Sequence, residues 1–208
     1  MLGLAIHTAS PQLGLMLQTI EPTDEAVKRH QVWDLGREVS SQLHVKLIEF
    51  MALYRWQDLS FVSVAHGPGG FTGTRIGVVA ARTLAQQLEI PLFGVSTLAA
   101  LAAGIHTNER DIAVMMPAKR EAVFGAIYRP AAGELTTVLQ DVVIPKDEWD
   151  KTLASWQRPL QVVSTNIGEG IAESVTGVMQ LASVRWTRGQ RPEWSSVMPF
   201  YGQHPVNR

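Results

Sequence analysis

The sequence predicts an α/β fold of two lobes, each a small sheet with helices packed against it. Three observations carry that prediction. Short apolar runs fall into two successions, one in each half of the 208 residues, and each succession sets three strand-like runs before a helix. The run Phe61–Ala65 follows a helical pattern and lacks polar alternation, as expected of a strand buried on both faces. Between it and the next helical pattern stands the loop from His66 to Gly77, with four glycines and a proline inside seven residues.

The first half justifies its elements in order. Leu2–Ala9 and Leu13–Thr19 read as two strands joined by Ser10-Pro11-Gln12, with Ala26–Asp34 as a third. Val39, Leu43, Leu47, Phe50 and Tyr54 then recur at helical spacing, predicting an amphipathic helix over Gly36–Trp56. After Phe61–Ala65 and the glycine loop, Arg75–Leu88 reads as a second helix and Pro91–Val95 as a fifth strand. Ser96 stands where a cap belongs for a third helix over Thr97–Ala103. Glu21, Asp24 and Glu25 read as a solvated turn.

The second half begins the same way. Ile112–Met116, Ala122–Tyr128 and Leu135–Ile144 read as strands, the last after a turn at Gly133. Pro145-Lys146-Asp147-Glu148 marks a helix start with Pro in its first turn, and Trp149, Leu153 and Trp156 supply its apolar stripe. Leu160–Ser164 is a fourth strand and Gly170–Leu181 a further helix. From Gly189 the chain holds three prolines, no clear period and the aromatic Trp194, which reads as a wrapping tail; Trp186 and Trp194 are expected to pin it. Each half thus reads as βββαβα, and the division falls at an N-terminal lobe over 1–104 and a C-terminal lobe over 105–208.

Composition excludes several chemistries. The formal net charge is −1, so no basic surplus advertises nucleic-acid binding, and any RNA contact is expected through a partner. There is no cysteine, which removes disulfides, thiolate metal sites and cysteine nucleophiles. No apolar run approaches a membrane span and the first residues lack a basic region, so a cytoplasmic protein is expected. Ser40-Ser41 and Ser195-Ser196 sit in no G-x-S-x-G elbow.

The glycine loop is the most informative segment. It lacks the lysine of a phosphate-binding Walker loop, and Gly67-x-Gly69-x-x-Thr72 misses the dinucleotide pattern by one residue. A strand–glycine loop–helix junction can hold an anion on backbone N–H groups, or it can be a tight corner; the residue types leave both open. Arg75 is a candidate to fix an anion, and equally a surface residue or an interface ion pair. The helix that follows carries two stripes, Gly77-Ala81-Ala85 and Ile76-Ala80-Leu84. Two apolar faces imply cover on both sides, one by the helix's own sheet and the other by either a neighbouring helix or a second protein.

Gly67-Pro68-Gly69-Gly70-Phe71-Thr72-Gly73-Thr74-Arg75-Ile76-Gly77 resembles the GPGSFTG-x-R-I-G signature of the TsaB (YeaZ) family. The resemblance continues through Ala80–Ala85 and Ile90–Leu98. It is fainter at Leu4–Ala9, at Ala118–Phe124 and at Pro199-Phe200-Tyr201, and strong over about residues 60–101. It implies an actin/Hsp70/sugar-kinase-like (RNase H-like) fold with two βββαβα lobes. It also implies a non-catalytic partner of the TsaD transferase in forming threonylcarbamoyladenosine (t6A) at adenosine 37 of tRNA, with a TsaE-like ATPase joining a larger complex. Contact with tRNA is then indirect, and the chain is expected to form a homodimer when alone.

The resemblance places the partner interface on the N-terminal lobe's helices, at Val39, Leu43, Leu47, Ile76, Gly77, Ala80, Ala81, Leu84 and Ala85. The signature loop Gly67, Pro68, Gly69, Gly70, Phe71, Thr72, Gly73 and Arg75 leads into that surface. It implies no cofactor for this chain, and leaves open whether a nucleotide sits at the complex interface. TsaD holds a metal with a His-x-x-x-His pair, and the matching positions here are Thr97 and Leu101. The aspartates that orient a metal in ATPases of this fold fall at His7 and Pro117. No two of the six histidines, His7, His30, His44, His66, His106 and His204, stand four apart, and no metal site is expected. Two other readings remain: a degenerate paralogue outside the t6A complex, kept open by His7 and Pro117, and a metal- or nucleotide-dependent peptidase or ATPase of the same fold.

Overall fold

Two sheets stand side by side in the computed structural model, which describes residues 1–21, 26–105, 107, 109–131, 134–166 and 170–202. The first is formed by β1 (Leu2–His7), β2 (Gln12–Thr19), β3 (Lys28–Asp34), β4 (Leu59–Ala65) and β5 (Leu92–Val95), in the order β3-β2-β1-β4-β5. The first three strands form an antiparallel meander. β4 joins β1 in parallel after α1 (Val39–Met51), and β5 joins β4 after α2 (Phe71–Leu88). A third helix, α3 (Thr97–Ala103), follows. The second sheet repeats the plan with β6 (Asp111–Pro117), β7 (Ala122–Ala131), β8 (Glu134–Pro145) and β9 (Leu160–Ser164), in the order β8-β7-β6-β9. Here α4 (Lys146–Ala154) precedes β9 and α5 (Val175–Thr187) follows it.

Alternation along β1 sorts the core into two layers. Leu2, Leu4 and Ile6 face α1 and α2, meeting Leu43, Phe50, Val78 and Ala81. Ala5 faces the other way and packs with Met16, Phe61 and Phe93 against Val175, Val178, Met179 and Ala182 of α5. A helix from the second half therefore covers one face of the first sheet. The exchange is reciprocal: Leu98 and Ala102 of α3 pack on Ile112, Val114, Met116 and Tyr128 of the second sheet. The expected division at 104/105 separates the two sheets, but the helices cross it. On the far face of the second sheet, Trp149 of α4 is fully buried over Ala113, Val123 and Ile127, with its ring against Gly125.

Several expected boundaries shift. The first helix is a short 3-10 turn at Gly36–Glu38 followed by α1, which stops at Met51. α2 begins four residues earlier than expected, at Phe71, inside the glycine signature. Pro145 caps α4 rather than lying in its first turn. Trp156 lies past the end of α4, where its Nε1 donates to Asp111 Oδ2 at 3.0 Å. Trp186 belongs to α5, not the tail, and packs its ring 5.3 Å from Phe61. The turn residues Asp24, Glu25 and Gly133, and the histidines His106 and His204, lie outside the described residues.

The tail does wrap. Leu92 N–H donates to Pro192 O at 3.3 Å, Phe200 N–H donates to His66 O at 2.7 Å, and Val197 is buried in the first core. Asp111, buried at the start of β6, accepts both Nε and Nη2 of Arg129 at 2.8 and 2.9 Å and has Arg158 Nε at 3.4 Å. Among the described residues, no helix is long and apolar enough to cross a membrane.

Ser96 caps α3 as its position in the sequence suggests. Its Oγ accepts from Leu98 N–H at 3.1 Å and Ala99 N–H at 3.2 Å, and donates to Asp141 Oδ2 at 2.5 Å. Ser96→Ala removes the cap and one buried hydrogen bond, and is expected to cost about 2 kcal/mol in urea unfolding. A loss within error of zero would mean that the cap is dispensable.

Candidate functional site

The glycine loop is tied to the end of β1. Gly70 N–H donates to Ala9 O at 2.7 Å, and Thr8 Oγ1 donates to Gly73 O at 2.8 Å. A Cβ added at Gly69 would fall on Ala9 O, one at Gly73 on Thr8 O and one at Gly77 on Thr8 Oγ1. Gly73 and Gly77, four apart on α2, lay one flat strip of backbone on Thr8, and Gly69, just before the helix, lies against Ala9. The tight-corner alternative accounts for them. The strip explains why α2 starts at Phe71: close approach to β1 outweighs the roughly 1 kcal/mol that glycine costs in a helix. Gly67 adopts φ +108°, with its peptide bond to Pro68 cis.

That strip corrects the interface expected from the sequence. Gly77, Ala81 and Ala85 face the lobe's own sheet and are buried. Leu43 is buried in the same core and Val39 is buried too, so none of these five presents a surface to another protein in this arrangement. Leu47 and Ala80 are nearly buried too, but each shows an edge to a groove between α1 and α2. Ile76 and Leu84, half-buried, line that groove.

The groove's exposed apolar residues were not singled out in the sequence. Ile48 is 67% exposed and Val79 55% exposed, and both line a depression of about 540 Å³ together with Trp56. Its rim holds Ser40, His44, Thr83 and Arg75. The available signal was an apolar residue standing off each helix's core stripe. Such a residue gains nothing from the chain's own fold. Phe71, at the head of α2, is half exposed and stacks on Tyr201 of the tail with ring centroids 4.5 Å apart.

The positions where ATPases of this fold carry aspartates hold no acid. His7 ends β1 completely buried, with neither ring nitrogen hydrogen-bonded. Burial lowers its pKa to about 4, so it is neutral near pH 7 and neither attracts nor holds a cation there as a carboxylate would. Pro117 ends β6 and is exposed. Thr97 is buried with its Oγ1 unpartnered, and Leu101 follows one turn later on α3. His30 pairs with Glu173 at 3.2 Å, and His44 stands on the groove rim. Among the described residues, no three His, Asp or Glu side chains gather where they could hold a metal ion.

The two meander-plus-parallel lobes, with helices shared between them, define a two-lobed α/β protein. A family model described as TsaD, tRNA N6-adenosine threonylcarbamoyltransferase, matches residues 42–168. A relative in Bacillus subtilis, the tRNA threonylcarbamoyladenosine biosynthesis protein TsaB, is 34% identical over 149 residues, covering 71% of this chain and 64% of its own. The protein of the same name in Buchnera aphidicola is 29% identical over 142 residues, 62% of this chain and 68% of that one. The match thus spans about two thirds of these relatives. The solved structure of YeaZ from Pseudomonas aeruginosa superposes with a TM-score of 0.73 over 97% of this chain and 100% of that one, at 21% identity. The chain belongs to the TsaB (YeaZ) family.

Proposed function

We propose that this chain is a non-catalytic subunit for the formation of N6-threonylcarbamoyladenosine in tRNA, and that it seats a TsaD-like transferase in the groove between α1 and α2. The observation that carries the reading is the apolar pair Ile48 and Val79, left exposed in the groove between two helices whose core stripes are buried against the lobe's own sheet. A patch of this kind on a soluble domain marks an interaction site. The neutral His7 and the Pro117 at the fold's metal-orienting positions support a subunit that lends a surface rather than a reaction. A TsaE-like ATPase would join the assembly, tRNA would be met through the partners, and the same groove would pair two copies when the transferase is missing. Any nucleotide at the interface would belong to the complex rather than to this chain, and the work would be cytoplasmic.

Co-expression with the transferase of the same organism, followed by gel filtration, tests the proposal. The pair is expected to co-elute. Val79→Asp and Ile48→Asp, both at exposed positions, are expected to weaken the pairing at least tenfold while leaving the melting temperature unchanged. Separate elution of the wild-type proteins would overturn it, as would full retention of pairing by both variants. The degenerate-paralogue reading draws on the same His7 and Pro117. It predicts unchanged t6A in bulk tRNA when the gene is deleted, whereas the subunit reading predicts a loss.

A further inference from the structure

Two charged side chains of opposite sign face one cavity, and neither has an ionic partner. The cavity, about 460 Å³, lies between the lobes, outside the C-terminal ends of β4 and β5 where His66 and Ser96 stand. Crevices at this end of an α/β sheet, and of this size, are where such folds take small ligands. Asp141 of β8 reaches into it. Its carboxylate accepts from Ser96 Oγ at 2.5 Å and from Tyr128 OH at 2.8 Å, both neutral donors. Arg185 of α5 lines the same space. It donates from Nη1 to Gly94 O and from Nε to Gln190 Oε1, both at 3.0 Å and both neutral acceptors, and lies 5.1 Å from the centre of the Phe93 ring.

The contrast with Asp111 shows what is missing. Asp111 is buried against Arg129 and Arg158, and those partners hold its pKa well below the usual carboxylate range. Among the described residues, Asp141 and Arg185 enter no ion pair with each other or with any other group. Burial raises the pKa of Asp141 and lowers that of Arg185, the direction expected of charges without compensation. The other two charges on the cavity wall, Glu134 and Arg188, neutralise one another. His66 lines the same space: burial lowers its pKa, Asp141 opposes that and Arg185 adds to it, and its buried Nδ1 is unpartnered. The rest of the wall is mixed: Leu135, Leu181, Val184 and Phe200 are apolar, and Thr136, Thr137 and Gln140 are polar without charge.

We infer that this cavity binds a free α-amino acid with an uncharged side chain, its ammonium group against Asp141 and its carboxylate against Arg185. A zwitterion compensates both partly buried charges at once. A simple amine would leave Arg185 unpaired, and a simple acid would leave Asp141 so. The uncharged wall of Leu135, Leu181 and Val184 with Thr136, Thr137 and Gln140 receives the side chain. The inference goes beyond the subunit role and does not depend on it, since it needs only the isolated chain.

Calorimetric titration of the purified full chain with each of the common free L-amino acids, up to ~10 mM, is the test. At least one uncharged amino acid is expected to bind saturably. Its decarboxylated amine and its des-amino acid should each bind at least tenfold more weakly. Asp141→Asn and Arg185→Gln should each weaken binding at least tenfold. Should either variant fail to fold, Thr137→Trp, at an exposed position on the cavity mouth, should block binding in a folded chain. Absence of binding by every amino acid would overturn the inference, as would equal binding of the one-charge analogues. Unchanged affinity in both charge variants, or in Thr137→Trp, would do so as well.

Discussion

Gly177→Ala is expected to lower the melting temperature by roughly 6 to 12 °C, in a single transition reported alike by both lobes. A Cβ at Gly177 would fall on the backbone carbonyl of Ala100, where α5 crosses α3. Backbone cannot rotate away as a side chain can, so one helix must move. α5 carries Val175, Val178, Met179 and Ala182 into the first sheet's core, and α3 carries Leu98 and Ala102 into the second sheet's core. A shift of either helix therefore opens both cores. Overpacking of this kind costs about 3 kcal/mol, and a chain of this length loses some 2 to 4 °C per kcal/mol. Gly104→Ala is the control, because its added Cβ would meet Leu101 O at an ordinary 3.5 Å and its φ is −77°. Scanning calorimetry decides the matter. A variant as stable as the control, or one that melts in two separated steps, would contradict the shared core.

The second large effect lies on the acid side. Asp111 keeps a pKa of about 2 in the folded chain, through its bonds to Arg129 first and with help from Trp156 and Arg158. An unfolded aspartate titrates near 3.9. The folded value is the lower one, so the contribution is complete above about pH 4 and disappears as pH falls toward 2. The difference corresponds to between about 2 and 3 kcal/mol, trimmed by salt because both arginines are partly exposed. Urea unfolding of the wild type and Asp111→Asn should therefore differ by that amount at pH 6 and converge by about pH 2. Asp141, whose folded pKa is raised, works in the opposite sense: protonation favours the fold as pH falls through that raised value. It is present in both proteins, so it cancels in the comparison. A gap that persists unchanged to low pH would show that Asp111 acts by shape rather than by charge.

Element types and order were legible because periodicity reports which residues turn inward. Leu160–Ser164 and Thr97–Ala103 fall where their patterns placed them, and Ser96 caps as its position implied. Periodicity does not report what an apolar face turns toward. The strip Gly77, Ala81 and Ala85 suits a second protein as well as it suits the chain's own first sheet, and only the fold chooses between them. The same limit hid the crossing of α5 onto the first sheet, since a stripe of Val175, Val178 and Met179 fits either sheet. The start of α2 was misplaced because Gly73 and Gly77 argue against a helix locally, while their purpose is a contact more than sixty residues away in the chain. The groove residues Ile48 and Val79 carried a weak signal, each being one apolar residue outside a core stripe. The unpaired charges of Asp141 and Arg185 carried none, because the absence of a partner appears only once every neighbour has been placed.

The exchange of α3 and α5 also sets an order on synthesis. As the chain emerges, residues through Ala103 complete every strand of the first sheet, yet Ala5, Met16, Phe61, Phe93 and Val95 still lack their cover. That cover arrives with α5, more than seventy residues later. Until then the nascent first half presents one wet apolar sheet face. α3 has no second sheet to dock on before β6 and β7 are made. A fragment ending near residue 104 is thus a sticky intermediate rather than an independent lobe, and recombinant production of the first half alone is expected to give aggregates that the full-length chain avoids.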